Sequence, residues 1–211
     1  GSGATASYQD SSRTTYKYVK AEPGNTTPTP VISYGVWIGS TELTSANTTS
    51  ISGVSYEPTT QTLTLNGAHI TGAPNRQYTS TIKDACGIYA KHDLTIELSG
   101  TNTVSGSTET QDNGNYGIFV SGRLTFTSDS DGSLTVSGGT SSNNGNAWVP
   151  GVYASGITVN NCNVTAIGGT ASDSYPVAYA MSKAPTLVGA KVAKVNTATS
   201  EPDTTVETYD P

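Results

Sequence analysis

The stretch Gly87-Ile88-Tyr89-Ala90 begins a pattern that decides the fold of this chain. It joins a glycine, an aliphatic, an aromatic and a small residue, and similar tetrads return at intervals of 30, 34 and 26 residues. The later copies are Gly117-Ile118-Phe119-Val120, Gly151-Val152-Tyr153-Ala154 and Val177-Ala178-Tyr179-Ala180. Repeats of this length, built from short strand-like runs, are typical of a solenoid in which each unit buries its apolar side against its neighbours.

Two more strand-like runs follow each tetrad and complete the repeat. The first runs are Leu94-Thr95-Ile96, Leu124-Thr125-Phe126, Ile157-Thr158-Val159 and Pro185-Thr186-Leu187. The second runs are Asn102-Thr103-Val104, Leu134-Thr135-Val136, Val164-Thr165-Ala166 and Ala190-Lys191-Val192. Three short strands per turn predict an all-β protein, a single-stranded right-handed parallel β-helix of about four to five rungs.

The variation in repeat length falls at one point, just before each tetrad. The inserts there span 73–86, 107–116, 140–150 and 170–176. Because they share one phase of the repeat, we expect them to leave the solenoid along one edge. They then form a single loop-rich surface on a rigid scaffold, where function usually lies.

Alternation along each strand predicts which side chains point outward. The aliphatic and small residues of a tetrad share the inner side, so the aromatic residues form an outer column with rings about 4.8 Å apart. This aromatic column consists of Tyr89, Phe119, Tyr153 and Tyr179. The following runs predict two further outer columns, which are Thr95, Thr125, Thr158 and Thr186, and His69, Thr103, Thr135, Thr165 and Lys191.

The residues before the first complete repeat predict an N-terminal β-hairpin cap. Residues 53–56 and 62–65 flank a turn-rich segment, and 36–38 with 42–44 fit a second hairpin. A solenoid needs such a cover at its end. The expected organisation is an N-terminal strand segment and linker at 1–30, the hairpin cap at 31–66, β-helix rungs at 67–196 and a C-terminal linker at 197–211.

The two ends of the chain resemble each other. Residues 6–10 (ASYQD) are similar to 207–211 (ETYDP), and 14–21 look like the last strand of a module that begins earlier. We therefore expect the chain to be one unit of a tandem array, with neighbouring modules of the same chain as partners.

Composition narrows the classes of partner. Only 34% of the residues are hydrophobic and 12% are charged, whereas disordered chains combine low hydrophobicity with high charge. A net charge of −6 argues against binding nucleic acid through its phosphates. No apolar run approaches the length of about eighteen residues that suggests membrane insertion. Cys86 and Cys162 lie about two rungs apart, so we expect no disulfide between them.

At this point the sequence resembles a known family, the bacterial cell-surface β-helix modules often labelled carbohydrate-binding-domain proteins. The residues that carry the resemblance are Tyr16–Lys20, Trp37–Gly39, Tyr56–Ala68, Gly87–Ala90 and Leu94–Ile96. The resemblance implies a secreted or wall-attached protein of gut-type bacteria that binds polysaccharide, with calcium in some members. Its motifs are structural, so it transfers no functional residue.

Catalysis is weakly supported by the sequence. Pectin-type hydrolases also use parallel β-helices, but a hydrolase needs gathered carboxylates, and only Asp129 and Asp131 are close, at a predicted turn. A calcium ion there would need further oxygen ligands. Lys91, Arg123 and Lys183 fall at the same turn of successive rungs, as a lyase would need, but exposed lysines mostly serve solubility. We therefore assign no catalytic residue and no metal ligand.

Binding is better supported, because outward aromatic rings offer a flat surface with a polar handle to sugars. Trp148, Tyr78, Tyr116 and Tyr175 lie in or beside the inserts. The predicted function is non-catalytic binding of an extended polysaccharide, a host or cell-wall glycan, outside the cell or at its surface. The expected site residues are Tyr89, Phe119, Tyr153, Tyr179 and Trp148. Two alternatives stay open: a structural stalk of an adhesin, in which stacking only stabilises the sheet, and a pectin-type lyase or hydrolase.

Overall fold

A computed structural model describes residues 30–73, 84–108, 114–141, 147–171, 178–195 and 204–208. For residues 84, 193–195 and 204–208 it describes the backbone alone. Residues 1–29 of the predicted N-terminal strand segment lie outside the described part of the chain, as do Tyr78, Tyr175 and part of each insert. The chain divides into two compact units, Gly1–Val31 and Ile32–Pro211. The second unit contains every strand described below, and no helix able to span a membrane occurs among the described residues.

The regular elements of the described residues are all β-strands. They are β1 (Ser33–Ile38), β2 (Thr41–Thr44), β3 (Val54–Glu57), β4 (Thr62–Asn66), β5 (His69–Thr71), β6 (Asp84–Ala90), β7 (Leu94–Ser105), β8 (Gly114–Val120), β9 (Arg123–Ser137), β10 (Thr140–Ser141), β11 (Val152–Tyr153), β12 (Gly156–Asn160), β13 (Asn163–Ile167), β14 (Thr170–Ala171), β15 (Thr186–Val188), β16 (Lys191–Val195) and β17 (Thr204–Thr208).

The strands stack into the three predicted faces, which confirms the parallel β-helix. The first face is formed by the tetrad strands β6, β8 and β11, paired in parallel. The second face stacks β4, the start of β7, the start of β9, β12 and β15. The third face stacks β5, the end of β7, the end of β9, β13 and β16. The long strands β7 and β9 therefore each bend from the second face to the third.

The corner between the second and third faces uses a residue with positive φ in each rung. Only small or Asx side chains tolerate this left-handed conformation easily. The residues and their φ angles are Gly67 (62°), Gly100 (63°), Asp131 (51°), Asn161 (51°) and Gly189 (53°). The predicted turn at Asp129 and Asp131 is therefore one of these corners.

Close packing explains why glycine opens the tetrads. A Cβ on Gly117 would lie 2.5 Å from the carbonyl oxygen of Ser137 and 2.6 Å from that of Gly151. Both distances are too short for carbon and oxygen, and both neighbours are backbone atoms. Gly87 and Gly151 meet similar contacts, at 2.6 Å from the carbonyls of Ser105 and Ile167 respectively.

The interior is a continuous apolar column, as alternation predicted, with a buried amide at one corner. Leu63, Ile96 and Phe126 are among its fully buried side chains. Asn102, also 0% exposed, accepts a hydrogen bond from the Ala68 N–H at 2.9 Å. Its Nδ2 donates to the carbonyls of Ser99 and Ser133, each at 3.1 Å. The side chain thereby links three successive rungs, which satisfies polar groups that a bend would otherwise leave buried and unpaired.

An antiparallel strand pairs with the parallel strands at each end of the solenoid. The two predicted hairpins form, β1 with β2 and β3 with β4, and β1 also pairs with β6 so that Trp37 lies opposite Tyr89. Strand β4 belongs to a hairpin and to the second face, so the first rung begins inside the expected cap, 31–66. At the other end, β17 pairs with β16. Strand β17 lies within 197–211, where the sequence predicted only a linker.

The fourth repeat has a different register from the one predicted. Val152 forms a bridge with Met181, so Ser182, rather than Tyr179, lies opposite Tyr153. In the third face Thr165 lies opposite Ala193, and Lys191 lies opposite Asn163. The first prediction aligned the fourth repeat on Tyr179, although the position of the tetrad glycine is taken by Ala180. The second aligned Ala190-Lys191-Val192 with Val164-Thr165-Ala166. The Gly151 N–H donates to the Tyr179 carbonyl at 3.0 Å, which fixes this correction.

Candidate binding site at the open end of the aromatic column

Three aromatic rings stack on the outer side of the first face, as the sequence predicted. Tyr89 and Phe119 have ring centroids 5.5 Å apart and planes 17° from parallel. Phe119 and Tyr153 are 4.9 Å apart and 9° from parallel. These distances follow the strand spacing of about 4.8 Å, because successive rungs carry the rings in register.

The cap end of this stack is covered, which corrects the expectation of an exposed aromatic platform. Tyr89 is only 4% exposed, because the Trp37 ring packs edge-on against it with centroids 5.4 Å apart. Tyr116 packs edge-on against Phe119 and Tyr153, at 5.0 and 5.9 Å. Trp37, Tyr89, Tyr116 and Cys86 form a buried cluster outside the main core, with Phe119 and Tyr153 partly buried against it. Tyr89 therefore has no free face for a ligand.

At the opposite end of the stack, no further ring stacks on Tyr153 within the described part of the chain. Tyr153 is partly buried, and Ser182, opposite it in the next rung, extends the stack by no ring. Trp148 is 38% exposed and meets Tyr153 edge-on, with centroids 6.4 Å apart. Tyr179 is 43% exposed and lies beside the tetrad strand of the preceding rung. We call Trp148, Tyr153 and Tyr179 the open-end aromatic site.

Backbone hydrogen bonds position the main chain at Trp148. Trp148 forms a parallel bridge with Gly114, and its carbonyl accepts a hydrogen bond from the Asn115 N–H at 2.7 Å. The buried Asn115 side chain in turn donates to the carbonyls of Ser107 and Thr140, at 2.7 and 2.8 Å. A positioned main chain reduces the entropy lost when a ligand binds, which favours recognition by a small number of contacts.

The three basic residues of the predicted turn do not act together. The Lys91 Nζ lies 5.0 Å from the centroid of the Trp37 ring, a cation–π contact at the cap end. Arg123 and Lys183 line one groove at the corner between the first and second faces. His92, beside Lys91, contacts the backbone carbonyls of Tyr34 and Asp93 through its two ring nitrogens.

Acidic side chains are dispersed in the described part of the chain, where no three His, Cys, Asp or Glu residues form a group suited to a metal ion. Asp131 shares a polar groove with Asn161, Asn163 and Lys191. A calcium ion at this corner would depend on those side-chain oxygens and would face the Lys191 ammonium.

No family model, curated protein or solved structure matches the chain. The binding role of the five predicted site residues stays a prediction, and the geometry favours Trp148, Tyr153 and Tyr179 among them. The sequence also contained a signal for the strand that covers Tyr89, since Val36-Trp37-Ile38 resembles a tetrad. The sequence did not show which strand this segment would pair with.

Proposed function

We propose that this chain is a non-catalytic module that binds an extended polysaccharide outside the cell or at its surface. The observation that carries the proposal is the open-end aromatic site, where the stack of rings ends at Tyr153 beside the exposed side chains of Trp148 and Tyr179. Tyrosine and tryptophan present wide apolar faces with a polar group at the edge, which suits the alternating C–H and O–H groups of a sugar ring.

The size of the site predicts weak binding by a single module. Three rings at about 0.5–1.5 kcal/mol each give modest affinity, by analogy with aromatic pairs. A polysaccharide repeats its epitope, and a tandem array of modules would repeat the site. Linked sites bind by avidity, so weak individual contacts suffice for retention.

A structural stalk is the second candidate, and the covered cap end favours it. There the same aromatic column is buried and stabilises the sheet. In a stalk the open end would serve only as the point where stacking stops. The two functions differ in whether the exposed rings bind glycan.

Replacement of Trp148 by alanine tests the proposal. A glycan array first identifies the ligand, and affinity electrophoresis in that polysaccharide then compares the variants. We expect Trp148→Ala to weaken retention by about threefold to tenfold, since the loss of one stacking contact has that magnitude. Its thermal midpoint should change little, because the side chain is exposed and the Gly114 bridge uses only backbone atoms.

Thr135→Ala is the matched control, since Thr135 is exposed on the third face, away from the rings. It should bind like the parent protein. Unchanged retention of Trp148→Ala would reject the open-end site. If the parent protein bound none of the glycans on the array, the stalk would be favoured instead.

A further inference from the structure

The groove at the corner between the first and second faces contains two cationic side chains. Its volume is about 410 Å³, and Arg123 and Lys183 both line it. The groove exists because the residues between them are small. Gly156 lies directly opposite Arg123 in the next rung and has no side chain, and Ser155 and Ala184 complete the floor.

These two charges are not neutralised within the described part of the chain. No carboxylate there forms an ion pair with the Arg123 guanidinium or the Lys183 ammonium. The Asp93 carboxylate, at the same corner, accepts a hydrogen bond from the backbone N–H of Arg123 at 2.8 Å instead. Two unpaired cations in one groove are notable in a protein with a net charge of −6. They create a local site for anions on an acidic molecule.

One wall of the groove is a ladder of hydroxyl groups. Thr125, Thr158 and Thr186 lie opposite one another on three successive strands and all line the groove. Each hydroxyl can donate and accept a hydrogen bond, as recognition of sugar hydroxyls requires. The ladder repeats at the strand spacing of about 4.8 Å. The groove therefore combines anion recognition with repeated contacts for a polymer.

The groove also adjoins the open-end aromatic site. Ser155, on its floor, follows Tyr153 by two residues, and the chain passes there from the first face to the second. A polymer that stacked on Tyr153 would have a direct path into the groove.

We propose that this groove binds the carboxylate or sulfate groups of an acidic polysaccharide, so that the ligand of the module is anionic. This inference rests on the proposed function and specifies its substrate class. Arg123 and Lys183 form charge-assisted hydrogen bonds with the anionic group, and the threonine ladder contacts the hydroxyls of the same chain. The groove binds the polysaccharide without any covalent step.

Two matched pairs of polymers separate charge from backbone. Polygalacturonate is compared with its fully methyl-esterified form, and dextran sulfate with dextran. We expect the parent protein to retain at least one acidic member about tenfold more strongly than its neutral partner, and to lose this preference as salt is raised. The acidic member that binds identifies carboxylate or sulfate as the group recognised.

Charge-neutralising variants then locate the site. Arg123→Gln and Lys183→Gln should each weaken binding of that polymer by up to about fivefold, and the double variant should lose the acidic preference, because exposed ion pairs are individually weak. Arg123→Lys should keep most of the binding. Lys191→Gln is the matched control, since it removes one exposed positive charge from the third face and should have no effect.

The outcomes distinguish the two proposals. If the double variant binds the acidic polymer normally, or if neutral and acidic polymers bind equally, the groove is not an anion site, although the aromatic site can still stand. If binding depends on Arg123 and Lys183 but not on Trp148, the groove stands and the aromatic site is rejected. If the parent protein binds none of the four polymers, the inference is overturned.

Discussion

The two ends of the aromatic column carry the same motif in different environments. At the cap end, strand β1 places Trp37 against Tyr89, which is buried. At the open end, Ser182 lies opposite Tyr153, and the neighbouring Trp148 and Tyr179 are exposed. The rings themselves stack almost identically, with planes 17° and 9° from parallel in the two successive pairs.

This difference shows that an outward-pointing residue in a solenoid is not necessarily a surface residue. Alternation decides only which side of the strand a ring occupies. Whether that side is covered depends on the strand that pairs with the end of the stack. One column can therefore stabilise the fold at one end and offer contacts to a ligand at the other.

The sharpest way to break the comparison is to remove a ring from each end. Tyr89→Ala should lower the free energy of unfolding by about 3–4 kcal/mol, because it leaves a cavity among Trp37, Tyr116 and Phe119. Tyr153→Ala should cost only about 1–2 kcal/mol, since that ring is already partly exposed. Urea denaturation followed by circular dichroism measures both.

Tyr89→Phe serves as the control for the first variant, because it keeps the ring and should cost no more than about 1 kcal/mol. Equal losses for Tyr89→Ala and Tyr153→Ala would mean that the two ends are equally buried in solution. The division between a structural end and a binding end would then be wrong.

A glycine test follows, with a smaller expected effect. Gly117→Ala in a middle rung should cost about 2 kcal/mol, because the added methyl group meets two backbone carbonyls that cannot move aside. In the last rung the same position is Ala180, where a side chain is tolerated. Ala180→Gly should therefore cost only about 1 kcal/mol, mainly through the unfolded chain. Thermal midpoints of the two variants and the parent protein measure both losses of stability. A Gly117→Ala variant as stable as the parent would contradict the close backbone packing around Gly117.

Much of the fold was predictable because the repeat is encoded locally. Period-two alternation placed Thr125 and Thr158 in one outer column, and the structure pairs them directly. The hairpin β3–β4 followed from its turn-rich segment. Both features depend on residues that are neighbours in sequence or on spacing that is almost constant.

The features that were not predicted depend on contacts between distant residues, which the spacing of the repeat does not reveal. The burial of Tyr89 results from the pairing of β1 with β6, across about fifty residues of chain. The register of Ser182 results from a repeat without its glycine, and β17 carries too few apolar residues to stand out from a linker. The candidate groove at Arg123 and Lys183 was visible as a shared turn, but its opening required Gly156 to lie between them.

Cys162 reports on the open end through an effect on stability that appears only above pH 9.0. The thiol is buried beneath the last rung, beside Gly189 and Ala190. Burial raises the pKa of this thiol from 9.0 to about 11, with a backbone hydrogen bond at Asn160 acting in the opposite direction. Cys86 lies instead in the aromatic cluster at the cap end, so the two thiols form no disulfide with each other.

The raised pKa predicts a loss of stability in alkali. Below pH 9.0 the thiol is protonated in both states, whereas between pH 9.0 and about 11 it ionises only in the unfolded chain. That difference favours unfolding by up to about 1.4 kcal/mol per pH unit across the window. Cys162→Ala removes this contribution, so urea midpoints of the parent protein should fall more steeply from pH 9 to pH 11 than those of the variant. Cys86→Ala is the control for loss of a buried thiol at the other end. Parallel pH profiles for parent and Cys162→Ala would show that the last rung does not keep the thiol from water.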